Sequence, residues 1–464
     1  MKSEPISGTD ESLSRVPSVD SLLRTEAAAS LLDSAGSRHL TALARFVAES
    51  LRRDIRDGAF PNSTREDLIS EAAVRLDTAW RSEVKTGVKR VINATGVIVH
   101  TNLGRAPLSE AARKSLCETA GYCNLEYNLE TGRRGIRGAR AENLLAEITG
   151  AESALIVNNC ASAAFLVLRV LASGGEVLIS RGELVEIGGD FRVPDVLAES
   201  GAVLREVGTT NRTKLSDYER ALNISSTMIL KVHPSNYRIV GFTAAPDVTE
   251  LVELAHRNGL IFYEDAGSGA LLDLSAFGLD DEPLISHSIA AGADVVTFSG
   301  DKLLGGVQAG LIVGRARAIE RLRKHPLYRA LRVDKLAYSA IEATLEAFRR
   351  DPLAEIPVLK MLSMSVEEIE IRARSFAGRL NAQSSVKAEV VRGNSVVGGG
   401  SAPDVQPETA LVMIEHPKIS PTELEQALRS SDPPIITRIV DGRVAIDLRT
   451  VTEAEEFEIL GNFG

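Results

Sequence analysis

In "RHLTALARFVAESLRRDIRDG" (38–58), Leu40, Leu43, Val47, Leu51 and Ile55 recur at spacings of three and four. They form one apolar helix face, and Gly58 supplies a stop. "NSTREDLISEAAVRLDTAW" continues in the same period, with Ser63 and Glu66 spaced as a capping box. From about residue 90 the pattern changes. Short apolar runs, "ALIVNN" (154–159), "EVLIS" (176–180), "MILKVH" (228–233), "LIFYED" (260–265) and "DVVTFS" (294–299), alternate with helix-period segments. This predicts an α/β fold with a mostly parallel central sheet covered by helices on both faces. After residue 336 a long helix containing "AYSAIEATLEAFRR" leads into a small α+β region. There "IITRIVDGRVAIDL" puts Asp441-Gly442 between two alternating strands, a type I′ hairpin signal. The expected organisation is a disordered tip (1–15), a helical domain (16–88), an α/β domain (89–335) and a small α+β domain (336–464).

Composition narrows the class. The 464 residues exceed one ordinary core, and 44% hydrophobic with 25% charged residues is globular. No apolar run approaches membrane-spanning length, and the polar start lacks the apolar core of a signal peptide. Cys117, Cys123 and Cys160 form no CxxC pair, which argues against a disulfide framework or structural zinc and suits a reducing cytoplasm. A net charge of −10 gives no bulk signal for nucleic acid, so RNA would need a local patch. Arg38, Arg45, Arg52 and Arg56 share one stripe of the first long helix; on their own they read as a solvated face.

Ligands of such sheets bind beyond the carboxyl ends of the strands. Polar residues gather there: Asn158 and Asn159, His233 to Asn236, Asp265, and Ser299 to Lys302. Lys302, in "VVTFSGDKLLGGVQAG", can be a phosphate clamp, a Schiff-base former or a solvated cation. A Walker loop is excluded, because the lysine has neither a preceding glycine nor a following hydroxyl. The Schiff-base reading draws support from Asp265, suited to a pyridinium nitrogen, from Ser299, suited to a phosphate, and from Asn236 in "HPSNY", suited to a ring hydroxyl. "NNCASAA" (158–164) opens a helix after a strand, a cup of backbone N–H groups for a phosphate. Singly these are caps, turn formers and surface charges; in this order on four strand ends they have the layout of fold-type-I pyridoxal-phosphate enzymes. Gly300, Gly305 and Gly306 are expected to leave room for the cofactor and substrate.

Longer stretches make the resemblance specific. "PSVDSLLR", "INATGVIVHTNLGRAPLS", "SRGELVEIGG", "REVGTTNRT", "KVHPSNYRIVGFT", "FSGDKLLGGVQAG", "HPLYRALRVDK" and "IVDGRVAIDLRT" span nearly the whole chain. The sequence resembles the bacterial selenocysteine synthases, the L-seryl-tRNA(Sec) selenium transferases. The resemblance implies pyridoxal 5'-phosphate on Lys302, with Asp265, Ser299, Asn236, Asn159, Cys160, Ala161 and His233 around it. It implies elimination of water from seryl-tRNA(Sec) to an aminoacrylyl-tRNA, then selenium addition from selenophosphate. Asp301 is a further site residue, as acid or as support for the lysine, and Arg105, Arg329 and Arg332 map onto the selenophosphate arginines. The helical N-terminal region corresponds to a tRNA-docking domain, which gives the arginine stripe a use. A cytoplasmic homo-oligomer, a ring of dimers forming a homodecamer, is the implied assembly. Val307, Pro234 and Cys160 depart from the family's usual proline, threonine and asparagine. The competing expectation is a related lyase acting on a free amino acid or amino sugar; a tRNA binder without catalysis has no use for Lys302, Asp265 and Ser299 together.

Overall fold

The computed structural model describes residues 13–187, 191–403 and 405–463. Most of the expected disordered tip, and the last two residues of "SRGELVEIGG", lie outside them. The chain forms two compact units, one up to Arg90 and one from Val91.

The first unit is helical: α1 (Val19–Leu23), α2 (Glu26–Ala35), α3 (Ser37–Arg56) and α4 (Arg65–Lys85). Leu40, Leu43, Val47, Leu51 and Ile55 of α3 are buried with Leu22, Leu31, Leu68 and Leu76, so the apolar stripe makes the core. The capping box belongs to Thr64 and Asp67, one residue later than Ser63 and Glu66. Both pairs have the spacing, but Thr64 is the residue with extended backbone immediately before the first helical turn. Leu13 packs on this core, and Arg15 Nη1 donates to Ser63 O at 3.0 Å.

The second unit is built on a seven-stranded sheet. Its strands are β1 (Ser153–Val157), β2 (Glu176–Ser180), β3 (Val203–Val207), β4 (Ser226–Val232), β5 (Ile261–Gly267), β6 (Val295–Ser299) and β7 (Gly310–Gly314). The order is β1-β7-β6-β5-β4-β2-β3. Pairing is parallel except that β7 runs antiparallel to β6 and β1. Alternate side chains feed two cores: Ile156, Leu178, Ile229, Phe262 and Val296 on one face, and Val157, Ile179, Leu230, Tyr263 and Val295 on the other. Two strands escaped the pattern. β7 follows the lysine loop too closely to look like a separate strand, and β3 is an edge strand with most positions exposed.

A second sheet contains β8 (Lys387–Asn394), β9 (Glu408–Glu415), β10 (Arg438–Val440) and β11 (Arg443–Asp447), in the order β8-β9-β11-β10. Asp441 and Gly442 both have positive φ, 47° and 71°, as a type I′ turn requires. The segment after residue 336 is joined to the start of the unit: Ile92–Asn93 pairs with Ile435–Ile436, and Val97 and Val99 pair with Val396 and Gly398. Among the described residues no helix is long and apolar enough to cross a membrane.

Candidate active site

β6 delivers Ser299 to the sheet's carboxyl edge, and the chain turns immediately through Lys302. Hydrogen bonds that fix the turn include Gly300 N–H to Ala309 O at 2.9 Å, Leu303 N–H to Ser268 O at 3.1 Å, Gly305 N–H to Lys302 O at 3.0 Å and Gly306 N–H to Gly300 O at 2.8 Å. Lys302 is 5% exposed and has no ion pair among the described residues. Gly300 and Gly305 do not open space for a ligand, as the sequence suggested they would, whereas Gly306 lines the cavity beside Asp301. A Cβ on Gly300 would lie 2.6 Å from Val307 O, and one on Gly305 (φ +72°) 2.3 Å from Ile356 Cγ2. They let the loop close tightly on its own chain.

Asp265, near the end of β5, is 8% exposed. Its Oδ1 accepts from Thr297 Oγ1 at 3.1 Å and Cys160 Sγ at 3.4 Å. Burial pushes its pKa up, opposed by these two donors and by the charge of Lys302. The Cys160 thiol therefore reaches the carboxylate, and burial raises it well above the usual range. Asn159 caps the helix Cys160–Leu171, its Oδ1 accepting from Ser162 N–H at 2.8 Å. The first-turn N–H groups of Cys160 and Ala161 thus lie at a helix start, without an acceptor one turn earlier.

After β4, His233 N–H donates to Asp265 O at 3.0 Å, and its ring lies 3.8 Å from Glu282. Asn236 Nδ2 donates to Glu186 O at 2.7 Å, while Asn236 Oδ1 and Ser235 Oγ are buried without partners. A Cβ on Gly400 would stand 3.7 Å from Asn236 Cβ and 4.0 Å from Lys302 Nζ, so the glycine-rich loop forms a wall here.

Asp301 faces a cavity of about 440 Å³ whose lining includes Thr101, Arg105, Ala106, Gly306 and Gln308. Arg105 Nη1 donates to Asp301 Oδ2 at 2.7 Å, from a residue held at φ +64° by its N–H bond to His100 O. Arg329 and Arg332 do not line this cavity. Arg332 bridges Val157 at the end of β1, Arg329 is exposed on the helix Pro326–Leu331, and neither has an ion pair among the described residues. Arg105→Ala strands the buried Asp301 carboxylate, so about 2 kcal/mol of stability should be lost. A urea midpoint equal to that of the parent would show that the pair contributes nothing.

Sequence reasoning missed Thr297 and Tyr263. Each lies two residues before a recognised site residue, hence on the same strand face. That periodicity was the available signal.

The family model described as L-seryl-tRNA selenium transferase matches residues 91–452. The chain is 47% identical over 447 residues to an L-seryl-tRNA(Sec) selenium transferase of Geobacter sulfurreducens, covering 95% of this chain and 96% of that one. It is also 47% identical to the protein of the same name from Aquifex aeolicus, over 88% of this chain and 89% of the relative. The solved D-glucosaminate-6-phosphate ammonia-lyase shares the fold at 19% identity with a TM-score of 0.56, covering 82% of this chain and 96% of that one. The fold is that of the fold-type-I pyridoxal-phosphate enzymes, and with this match the chain belongs to the L-seryl-tRNA selenium transferase family.

Proposed function

We propose that this enzyme converts seryl-tRNA(Sec) to selenocysteinyl-tRNA(Sec), with pyridoxal phosphate as cofactor and selenophosphate as selenium donor. The observation that carries the reading is a buried lysine within electrostatic reach of a buried aspartate, on adjoining strand ends, in a chain so similar to named selenium transferases. The residues fit the cofactor. Asn236 Oδ1 is buried and lacks a donor, which a ring hydroxyl would supply. Lys302 would hold the aldehyde carbon and Asp265 the ring nitrogen. Ser299 and the N–H groups of Cys160 and Ala161 would hold the phosphate, with Asn159 setting that helix start and His233 the end of β4.

When bound, the cofactor supplies an electron sink for the pair left on the substrate Cα. The Lys302 amine, held by its turn, is the base suited to the Cα proton. Asp301 acts by position: its ion pair with Arg105 ties the 100–106 turn to the lysine loop. Among the described residues Arg329 and Arg332 have no side-chain partner and Arg105 engages only Nη1, which supports their guanidinium forks as holders of a selenophosphate anion. Arg38, Arg45 and Arg56 are exposed on the face of α3 opposite its core, while Arg52 pairs with Glu49 at 3.0 Å. That supports phosphate-backbone contacts from this helix. Assembly of copies, expected as a ring of dimers, is supported by exposed Tyr122, Leu129 and Ile136.

Removing residues 1–90 should abolish turnover of seryl-tRNA(Sec) and leave cofactor binding unchanged, since the second unit has its own cores. Full turnover by the shortened chain would overturn the docking role. Elimination from free serine by the full chain, with seryl-tRNA untouched, would point to the lyase.

A further inference from the structure

Asp265 of β5 stands opposite Thr297 of β6 in the parallel register. Thr297 Oγ1 lies 3.1 Å from Asp265 Oδ1 and 2.8 Å from Tyr263 Oη. An ionised carboxylate only accepts, so the single Thr297 proton must go to Asp265, and Tyr263 must donate to Thr297. The order is Tyr263 O–H to Thr297, then Thr297 O–H to Asp265. Cys160 Sγ reaches the same Oδ1 from the neighbouring helix at 3.4 Å. Tyr263 and Thr297 are both 0% exposed.

This buried polar chain needs a reason. The surrounding positions are apolar: Leu155, Val157, Leu230, Val295 and Ile312. Valine would fill the site of Thr297 with the same shape. A buried hydroxyl costs stability unless it is bonded, and its bond here serves a carboxylate that desolvation drives toward the neutral form. A neutral Asp265 could not pair with a protonated ring nitrogen.

We infer that Thr297, backed by Tyr263 and joined by Cys160, is a positioning residue that keeps Asp265 ionised and aimed at the cofactor's ring nitrogen. This rests on the cofactor reading above. It also gives Cys160 a use: the thiol that replaces the family's usual asparagine acts on the aspartate.

The test uses the full-length apoprotein titrated with pyridoxal phosphate, followed by the visible absorbance of the bound cofactor. A second titration, followed by protein fluorescence, uses the 1-deaza analogue, in which carbon replaces the ring nitrogen. Thr297→Val should weaken pyridoxal phosphate binding about tenfold, the scale of one hydrogen bond to a charged group. Thr297→Ser should restore it, and neither change should alter affinity for the deaza analogue. Tyr263→Phe, which keeps the packing, should show a smaller loss of the same selectivity, and it tests the relay should Thr297→Val fold poorly. Equal loss for both ligands, or none for either, would overturn the inference and leave Thr297 a packing residue. A wild-type protein with no cofactor band would instead overturn the cofactor reading, a result the variants cannot mimic.

Discussion

Lys302→Ala is expected to abolish turnover, by at least about 10³-fold, and to leave the fold intact. Both halves follow from the same environment. The amine is the covalent anchor and the base in the proposed chemistry, and losing a positioned base alone costs about 10²–10⁴-fold. Yet the side chain has no ion pair among the described residues and is 5% exposed. A buried ammonium without a carboxylate partner at contact distance contributes little to stability. The thermal midpoint of Lys302→Ala should therefore equal or exceed that of the parent, and the visible cofactor band should be lost. A variant that melts much lower would show that Lys302 is structural; one that turns over normally would remove it from the chemistry.

The largest stability effect is expected far from the lysine, at Arg449. It is 2% exposed, and its guanidinium donates to Ser395 Oγ at 3.0 Å and to the carbonyls of Met361, Met364 and Glu408 at 2.6, 3.0 and 2.5 Å. Asp447 beside it is fully buried and accepts from Ser395 and Thr409 hydroxyls at 2.7 and 2.8 Å. Arg449→Met keeps much of the volume but leaves the three carbonyls and Ser395 Oγ without this donor, while Asp447 keeps its ion pair with Arg438 at 3.5 Å. Leaving several partly buried acceptors without a partner, at about 1–3 kcal/mol each, should cost about 3–5 kcal/mol in all. Denaturant unfolding would read this as a lower midpoint. A loss under about 1 kcal/mol, the net worth of one ordinary hydrogen bond, would mean that water or repacking replaces the guanidinium.

These two residues show what was legible in the sequence. The lysine, the aspartate and the serine stand out because each ends an apolar run, and strand ends are where such folds place chemistry. "INATG" was legible only as a family mark, and "IVDGRVAIDLRT" only as a family mark and a hairpin. In the folded chain they form a seam. Asp447 N–H donates to Ala94 O at 3.0 Å, and Thr450 Oγ1 links Gly96 N–H with Asn93 O. A Cβ on Gly96 would lie 2.0 Å from Asp447 Oδ2. The seam joins residues more than 350 positions apart in sequence, which no local pattern reports. For the same reason the sequence alone places Cys160 in the phosphate cup. Its spacing after Asn159 fixes its place in the helix, while its partner, Asp265, lies 105 residues on.

The most direct test is to incubate the cofactor-loaded full chain with seryl-tRNA(Sec), with and without selenophosphate, and identify the amino acid released from the tRNA. Selenocysteine should appear only with selenophosphate, be absent with Lys302→Ala, and not arise from free serine. Serine recovered intact from every tube, from protein that carries its cofactor band, would contradict the account.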